Sequence, residues 1–357
     1  MPPANPCVKI ARMQKLFYFI LTLSFLTQFP VGAAFALAET ASSTADNAGV
    51  AFEEIIPTRE LIPEPVIRVG LYKTKEPIKF VSDFVYEVWS GDRSRAVILA
   101  GVTTTLSHAN GLYSIKTENL EFGLSDFVRL VPRDLPASAS TALQAGIHDF
   151  FTLINYNRPV KGRGKVNFNA YRGALEYRYS PKSKLPYIIN ELPLDFYVAG
   201  VAETHDAAPV EYIKALQVAA RSYAYANIGK MPPTEKRMFD VYPTTVDQIY
   251  LGYNSELFMP RVAQASADTA GQMVTYKGAP VATPYFSHSN GKTVSWKGKD
   301  RPWLKSVPAV YDKGKKMLGH GIGMSNYDAI KRAAKDGWTY DQILQYYYTS
   351  TTVERVY

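Results

Sequence analysis

Cysteine is almost absent from this chain of 357 residues. The only one, Cys7, precedes a long apolar run, so everything that follows the run has no thiol. This absence excludes disulfide bonds, a cysteine nucleophile and cysteine-ligated zinc from the main part of the protein.

Recognisable metal and nucleotide motifs are also missing. None of the five histidines is paired at a ligand spacing such as H-E-x-x-H. The glycine cluster at 319–323 reads G-x-G-x-G, which is not the dinucleotide fingerprint. We therefore predict no metal and no cofactor, although a metal site built from His205, His288 and His320 stays open as an alternative.

The charge balance is only moderately basic. The formal net charge is +8, which favours an anionic partner such as a wall polymer, a lipid or a nucleic acid. No run of lysine and arginine alternates with aromatic residues, so nucleic acid is not a predicted partner.

The amino terminus has the layout of a secretory signal peptide. Lys9, Arg12 and Lys15 precede the apolar segment 16–29, and the A-x-A pattern at 36–38 fits a cleavage site. We predict a signal peptide over 1–38 and a small, polar linker over 39–62. The protein is thus expected to be exported to the cell envelope. An uncleaved membrane anchor is the alternative, and it would provide the only membrane contact, because no later segment is long and apolar enough to span a bilayer.

The rest of the chain predicts an α+β fold. Short strand-like runs punctuated by Gly and Pro fill 63–190, and mixed strands and helices fill 191–357. A helix is predicted over 209–228, and a hairpin around Asn290-Gly291. Two helices close the chain, one capped by Ser325 and one opened by a capping box of Thr339 and Gln342.

One acid stands out at an element boundary. A strand-like run from 192 ends in Glu203, and the helix behind it carries Lys214, Gln217 and Arg221 on one face. A single carboxylate with a raised pKa can donate and then accept a proton. On spacing alone, however, an ordinary surface glutamate and a solvated helix face are favoured.

Two later clusters offer binding groups. The segment 319–325 (GHGIGMS) combines three glycines with a helix start whose free N–H groups suit a carboxylate or acetamide oxygen. The segment 287–293 (SHSNGKT) offers hydroxyl groups and a histidine. A structural glycine loop and a simple polar turn are the alternatives.

Taken together, these clusters resemble the SpoIID/LytB domain. NELPLDFYVAGVAE is similar to the opening motif of that family, EYIKALQVAARSYA to its helix, and DVYPTTVDQIYLG to its next segment. PYFSHSNGKT and GHGIGMSNYDAIKRAAKDGWTYDQILQYYYTST resemble its later motifs. The resemblance extends over about residues 64–357, in the family's order. Here the acid comes two residues earlier than is common in the family.

The resemblance implies a lytic transglycosylase that cleaves the MurNAc–GlcNAc bond of peptidoglycan strands, preferably strands without stem peptides. It places the catalytic acid on Glu203. An ordinary glycosidase would need a second carboxylate, for which Asp206, Glu211 and Asp240 are the nearest candidates. The LytB branch gives the alternative, a non-catalytic glycan-binding protein that stimulates a cell-wall amidase. The substrate-binding residues implied are Lys214, Gln217, Arg221, Tyr223, Ser287, Ser289, Gly291, Thr293, His320, Gly321, Gly323 and Ser325.

Overall fold

The computed structural model describes residues 61–133, 150–230 and 237–357. The predicted signal peptide and nearly all of the predicted linker lie outside these residues. The strands are β1 (Val66–Lys73), β2 (Ile78–Ser82), β3 (Tyr86–Ser90), β4 (Arg93–Ile98), β5 (Thr104–Ala109), β6 (Leu112–Lys116), β7 (Glu121–Leu124), β8 (Val128–Pro132), β9 (Phe150–Leu153), β10 (Ala170–Arg172), β11 (Ala174–Ser180), β12 (Leu185–Pro193), β13 (Gln272–Tyr276), β14 (Ala279–Pro280), β15 (Tyr285–Phe286), β16 (Met324–Ser325) and β17 (Thr352–Arg355). The α-helices are α1 (Leu194–Ala199), α2 (Val210–Tyr225), α3 (Tyr253–Phe258), α4 (Pro260–Asp268), α5 (Asn326–Lys331) and α6 (Tyr340–Tyr347).

Two antiparallel six-stranded sheets form the first part of the fold. One has the order β1-β12-β11-β8-β3-β4, and the other β10-β9-β2-β5-β6-β7. In strands such as β2, β3 and β8, alternate residues point into one shared core, as expected for sheets with one buried face. Ile67 and Val88 of the first sheet and Phe80 and Leu106 of the second are almost fully buried in that core.

The second part packs helices and short strands around another core. Helix α2 contributes Ile213, Leu216 and Ala219 to it, together with Val262 of α4 and Tyr347 of α6. Both parts confirm the predicted α+β class, with strands dominant first and helices later. No helix within the described residues is long and apolar enough to cross a membrane.

The predicted boundaries differ from the observed ones in three places. Residues 194–199, predicted as the end of a strand, form helix α1. Helix α2 ends at Tyr225, not at 228. The hairpin predicted around Asn290-Gly291 is wrong, because β15 pairs in parallel with β16 and Val294 bridges to Ile322. The glycine-rich segment 319–323 occupies the place where the second hairpin strand was expected.

The two closing helices follow the predicted pattern. Helix α5 begins after Ser325 and continues as a π-helical turn over Arg332–Asp336, and Gly337 follows it with a left-handed φ of 70°. The capping box of Thr339 and Gln342 is present at the start of α6. Its two reciprocal hydrogen bonds satisfy two backbone N–H donors at the helix start, those of Thr339 and Gln342.

The predicted polar stripe on α2 is not a binding face. Arg221 is fully buried, and its guanidinium donates to Asp195 Oδ1 at 2.6 Å. It also donates to the carbonyl oxygens of Ser266 and Gln272. Because Asp195 lies on α1, Ser266 on α4 and Gln272 on β13, this one side chain joins α2 to three elements. Arg221 therefore has a structural position and no access to a ligand.

The other two stripe residues also differ from the prediction. Gln217 is fully buried, and its amide atoms have no hydrogen-bond partner among the described residues. Lys214 forms an ion pair with Asp268, with 3.4 Å between its Nζ and the carboxylate. Spacing correctly placed the three residues on one side of the helix but could not show that α4 and β13 cover that side.

Replacing Asp195 with Ala should destabilise the protein by about 3–5 kcal/mol, because it leaves the guanidinium of Arg221 buried without its counter-charge. The free energy of unfolding from denaturant titration measures this. Asp268→Ala is the matched control, since it removes the partially exposed partner of Lys214 and should cost less than about 1 kcal/mol. Equal losses of unfolding free energy in the two variants would contradict the conclusion that the buried Arg221 joins α2 to its neighbouring elements.

Candidate functional site

A cleft of about 720 Å³ lies between the helical core and the segments around β15 and β16. Its volume is within the range of about 300–1,000 Å³ common for small-molecule sites. Glu203 is on one wall, and Tyr285 and Phe286 of β15 are on another. The lining residues are Glu203, Thr204, His205, Tyr212, Tyr223, Thr245, Val246, Asp247, Gln248, Ile249, Pro284, Tyr285, Phe286, Ser287, His288, Leu318, Gly319, His320, Asn326, Tyr327 and Ile330.

The backbone around Glu203 is fixed from two sides. The Ala202 N–H donates to the Ile249 carbonyl at 2.8 Å, and Arg163 donates to the carbonyl oxygens of Ala202 and Thr204 at 2.6 and 3.0 Å. Gly200 allows this approach, because a Cβ there would lie 2.5 Å from the Tyr250 ring. The turn that carries Glu203 is therefore held in place, although it is not part of a helix or a strand.

The Glu203 carboxylate has two donors. Its Oε1 accepts the Ile249 N–H at 2.9 Å, and the hydroxyl of Tyr285 donates to the carboxylate. Within the described residues it forms no ion pair. Burial raises the pKa of Glu203 above its ordinary value, and the hydrogen bonds from Tyr285 and Ile249 oppose that rise only in part. The raised pKa favours the protonated carboxyl group, which is the form that a general acid uses.

A chain of hydrogen bonds orients Tyr285. Tyr197 OH donates to Gln248 Oε1 at 3.0 Å, and Gln248 Nε2 donates to Tyr285 OH at 2.8 Å. Because that oxygen already accepts from Gln248, the Tyr285 proton is directed at Glu203. Burial raises the pKa of both tyrosines far above the usual value, so they remain protonated donors.

Asp247 is the other carboxylate of the cleft, and its oxygens are engaged. Oδ2 accepts the Tyr242 N–H at 2.8 Å and lies 3.3 Å from Arg237 Nη1. Oδ1 accepts the hydroxyl of Tyr223 at 3.4 Å. Burial, followed by the nearby Asp247, raises the pKa of Tyr223 to about 12. Asp247 is therefore neutralised by a cation, in contrast to Glu203.

The three carboxylates predicted as second-acid candidates lie outside the cleft lining. Asp206 caps the start of α4 by accepting the N–H groups of Arg261 and Val262. Glu211 accepts the Tyr340 N–H at 2.9 Å. Asp240 accepts the Arg68 N–H at 2.9 Å and the Gly229 N–H at 3.0 Å. Each of these carboxylates thus accepts hydrogen bonds from backbone N–H groups of another segment.

Three histidines line the cleft. His320 Nδ1 accepts the Ile322 N–H at 3.1 Å, and the ring also forms a hydrogen bond with the Tyr285 backbone. Burial lowers the pKa of His320, and this favours the neutral ring. His288 contacts the Ser287 hydroxyl. His205, His288 and His320 do not form a metal-binding group, and in the described part of the chain no group of three or more potential ligands does.

Four of the predicted site residues line the cleft. They are Glu203, Tyr223, Ser287 and His320. The stripe residues Lys214, Gln217 and Arg221 do not.

The hydroxyl residues of the later clusters are mostly structural. Ser289 and Ser325 are fully buried. The Ser289 N–H donates to Asp312 Oδ2 at 2.7 Å, and the Ser325 hydroxyl donates to the same oxygen at 2.6 Å. Thr293 is buried against Val307, whose N–H donates to the Thr293 hydroxyl at 2.9 Å. The predicted substrate contacts of these residues are wrong because the protein's own groups occupy their polar atoms.

The glycines of these clusters serve packing. A Cβ at Gly323 would lie 1.9 Å from the Pro284 carbonyl oxygen, and one at Gly321 would lie 2.8 Å from the Val294 side chain. Gly291 has a left-handed φ of 120°, and its N–H donates to Ser289 Oγ at 3.1 Å. The close approach that these glycines permit is to the chain itself, and none of the three lines the cleft.

Sequence reasoning missed the residues that control Glu203. Tyr285, Gln248 and Arg163 are 82, 45 and 40 positions away from it along the chain, so no local spacing connects them. The only signal was that Tyr285 and Gln248 lie within two segments that resemble family motifs.

Known proteins match this part of the chain. Residues 183–276 match the sequence model of the family described as "Stage II sporulation protein". Stage II sporulation protein D of Bacillus subtilis is 30% identical over 165 residues, which are 40% of this chain and 48% of that protein. An uncharacterised protein of Brachyspira hyodysenteriae is 36% identical over 132 residues, 36% of this chain and 34% of that protein. Stage II sporulation protein D of Bacillus amyloliquefaciens is 31% identical over 144 residues, 35% of this chain and 41% of that protein. The chain thus spans less than half the length of each of these relatives.

Tyr285→Phe should raise the pKa of Glu203 further, because it removes a hydrogen bond that stabilises the ionised carboxylate. Carbon-detected NMR titration of the glutamate side chains measures the shift. Tyr223→Phe is the control, since its hydroxyl contacts Asp247 and not Glu203. An unchanged or lowered Glu203 pKa in Tyr285→Phe would refute the proposed orientation of the hydroxyl.

Proposed function

The chain contains a SpoIID-family domain, and from this premise we propose that it is a peptidoglycan lytic transglycosylase with Glu203 as its only acid/base. The observation that carries the proposal is a half-buried carboxylate in a cleft, which accepts hydrogen bonds from two neutral donors and forms no ion pair within the described residues. A nearby cation would lower the pKa and leave the group unable to donate a proton.

The proposed reaction needs one carboxylate and no water. Protonated Glu203 donates its proton to the glycosidic oxygen as the bond from that oxygen to the anomeric carbon of MurNAc breaks. The carboxylate then takes the proton of the MurNAc 6-hydroxyl while that oxygen bonds to the anomeric carbon. The product is a 1,6-anhydro sugar, and Glu203 is protonated again.

The arrangement of the other acids supports a single-carboxylate mechanism. A glycosidase that uses water or a covalent intermediate needs a second free carboxylate facing the first. Asp247 is the only other carboxylate among the cleft-lining residues, and Arg237, Tyr242 and Tyr223 occupy its oxygens. The substrate's own hydroxyl supplies the nucleophile instead.

The proposed place of action is outside the cytoplasm. The basic lead, the apolar run and the A-x-A pattern at 36–38 are typical of an exported protein. Peptidoglycan lies in the envelope, so export and substrate agree. An amidase that removes stem peptides is the proposed partner, because it would produce the strands preferred by the family.

Glu203→Gln should lower the release of anhydro-sugar fragments at least about 100-fold, because the amide cannot exchange a proton with the glycosidic oxygen. Mass spectrometry of digested glycan strands measures the products. Glu211→Gln is the matched control, as its carboxylate binds a backbone N–H outside the cleft, and it should keep its activity. If Glu203→Gln remains fully active, the proposed role is lost.

The same variant should not lose stability. The folded-state pKa of Glu203 is raised, so its burial favours the fold at low pH, and this contribution is lost as the pH rises through the folded pKa. Glu203→Gln should therefore unfold at equal or higher temperature near pH 7, a difference that vanishes well below the reference pKa of 4.5.

Binding of glycan without any product, together with faster amidase turnover on mixing, would support the non-catalytic alternative instead.

A further inference from the structure

The segment 292–316 is strongly basic. It contains eight lysine and arginine residues and only two acids, Asp300 and Asp312. Asp312 is fully buried, and Asp300 lies beside Arg301 and the Trp296 ring nitrogen. Within the described residues, none of the seven lysines of the segment forms an ion pair. No acid in the described part of the chain therefore neutralises their positive charge through an ion pair.

The segment is anchored and not a loose loop. The Asp312 carboxylate ties it to Ser289 and Ser325, which flank the cleft-lining segments. Trp303 donates its ring N–H to the Ala282 carbonyl at 2.9 Å, and the Ala309 N–H donates to Gly291 at 2.9 Å. The backbone that carries the lysines thus has a defined position relative to the cleft.

The basic segment adjoins the cleft directly. The chain runs from Lys316 through Met317 into Leu318, Gly319 and His320, which line the cleft. Lys315 Nζ lies 3.9 Å from the ring centroid of Tyr327, another lining residue. Positive charge is therefore present at the rim, while Glu203 inside has no ion-pair partner.

We propose that Lys313, Lys315 and Lys316, here called the basic rim, bind carboxylates on the part of the glycan strand that extends out of the cleft. This inference rests on the proposed function and adds what selects the substrate. A MurNAc residue without a stem peptide carries a free lactyl carboxylate, so such a strand bears a negative charge on every second sugar. Several fixed cations beside a cleft attract and retain a polymer of this kind.

The position of the rim favours a glycan over a lipid surface. Tyr327 joins the rim to the cleft, so a strand seated in the cleft needs no separate docking face to reach the lysines. A membrane surface would contact the rim without entering the cleft. The two possibilities predict different responses to substitution of the rim.

The test compares two triple variants that lose the same charge. Lys313→Gln, Lys315→Gln and Lys316→Gln together remove the rim, while Lys75→Gln, Lys79→Gln and Lys184→Gln together remove three exposed lysines of the strand-rich part. Affinity for fluorescent peptide-free glycan strands is measured at low and high salt. The measurement is repeated with the same strands after amidation of their carboxylates. Thermal unfolding verifies that both variants fold.

The rim variant should bind charged strands about tenfold more weakly at low salt, because three partly exposed charge pairs contribute roughly 0.2–1 kcal/mol each. The control variant should bind like the wild type. High salt should remove the difference, and amidated strands should bind the wild type as weakly as charged strands bind the rim variant. Equal affinity of the two variants, or full affinity for amidated strands, would overturn the proposal.

Two further outcomes separate the rim from catalysis and from membranes. Salt-sensitive binding through the rim without any cleavage product would contradict the proposed enzymatic function and would support the proposed binding role of the basic rim. Normal cleavage with an unaltered KM in the rim variant would contradict the proposed role of the basic rim, and the proposed enzymatic function would stand. If the rim variant loses only its binding to vesicles of anionic lipid, the surface faces a membrane and the proposal is wrong.

Discussion

The partial removal of the Glu203 carboxylate from water is the constraint on which the site depends. An ionised carboxylate in such a place needs either a cation or strong hydrogen bonds, and this one has two neutral donors, the Ile249 N–H and the Tyr285 hydroxyl. The result is a raised pKa and a proton available for transfer. Gln248 and Tyr197 orient the tyrosine, and Arg163 holds the backbone on both sides of the acid.

The cations around this acid are engaged with other groups: Arg163 donates to backbone carbonyls, and within the described residues Glu203 forms no ion pair. Arg221 forms an ion pair with Asp195 in the helical core, and Arg237 forms an ion pair with Asp247 on the cleft wall. The lysines of the segment 292–316 remain outside the cleft, where they can act on a charged polymer without neutralising Glu203. The proposed catalysis therefore needs an acid without an ion pair, whereas the proposed substrate selection needs positive charge outside the cleft.

The sequence predicted the α+β class, and of the predicted site residues Glu203, Tyr223, Ser287 and His320 lie in the cleft lining. Strand periodicity, the Thr339–Gln342 capping box and the helix end before Gly337 depend on local patterns, and these can be read from one segment at a time. Arg221 was misassigned because burial depends on α4 and β13, which are distant in sequence. The serines and glycines of the two late clusters failed for the same reason, since their partners Asp312 and Pro284 lie on other segments.

The source of the oxygen at the cleaved bond tests the central claim most directly. Glycan strands digested in water labelled with heavy oxygen can be analysed by mass spectrometry for the label at the new MurNAc ends. The account predicts anhydro ends without label, because the sugar's own hydroxyl closes the ring under the control of Glu203. Reducing ends that carry the heavy oxygen would show that water is the nucleophile and would contradict the single-carboxylate mechanism.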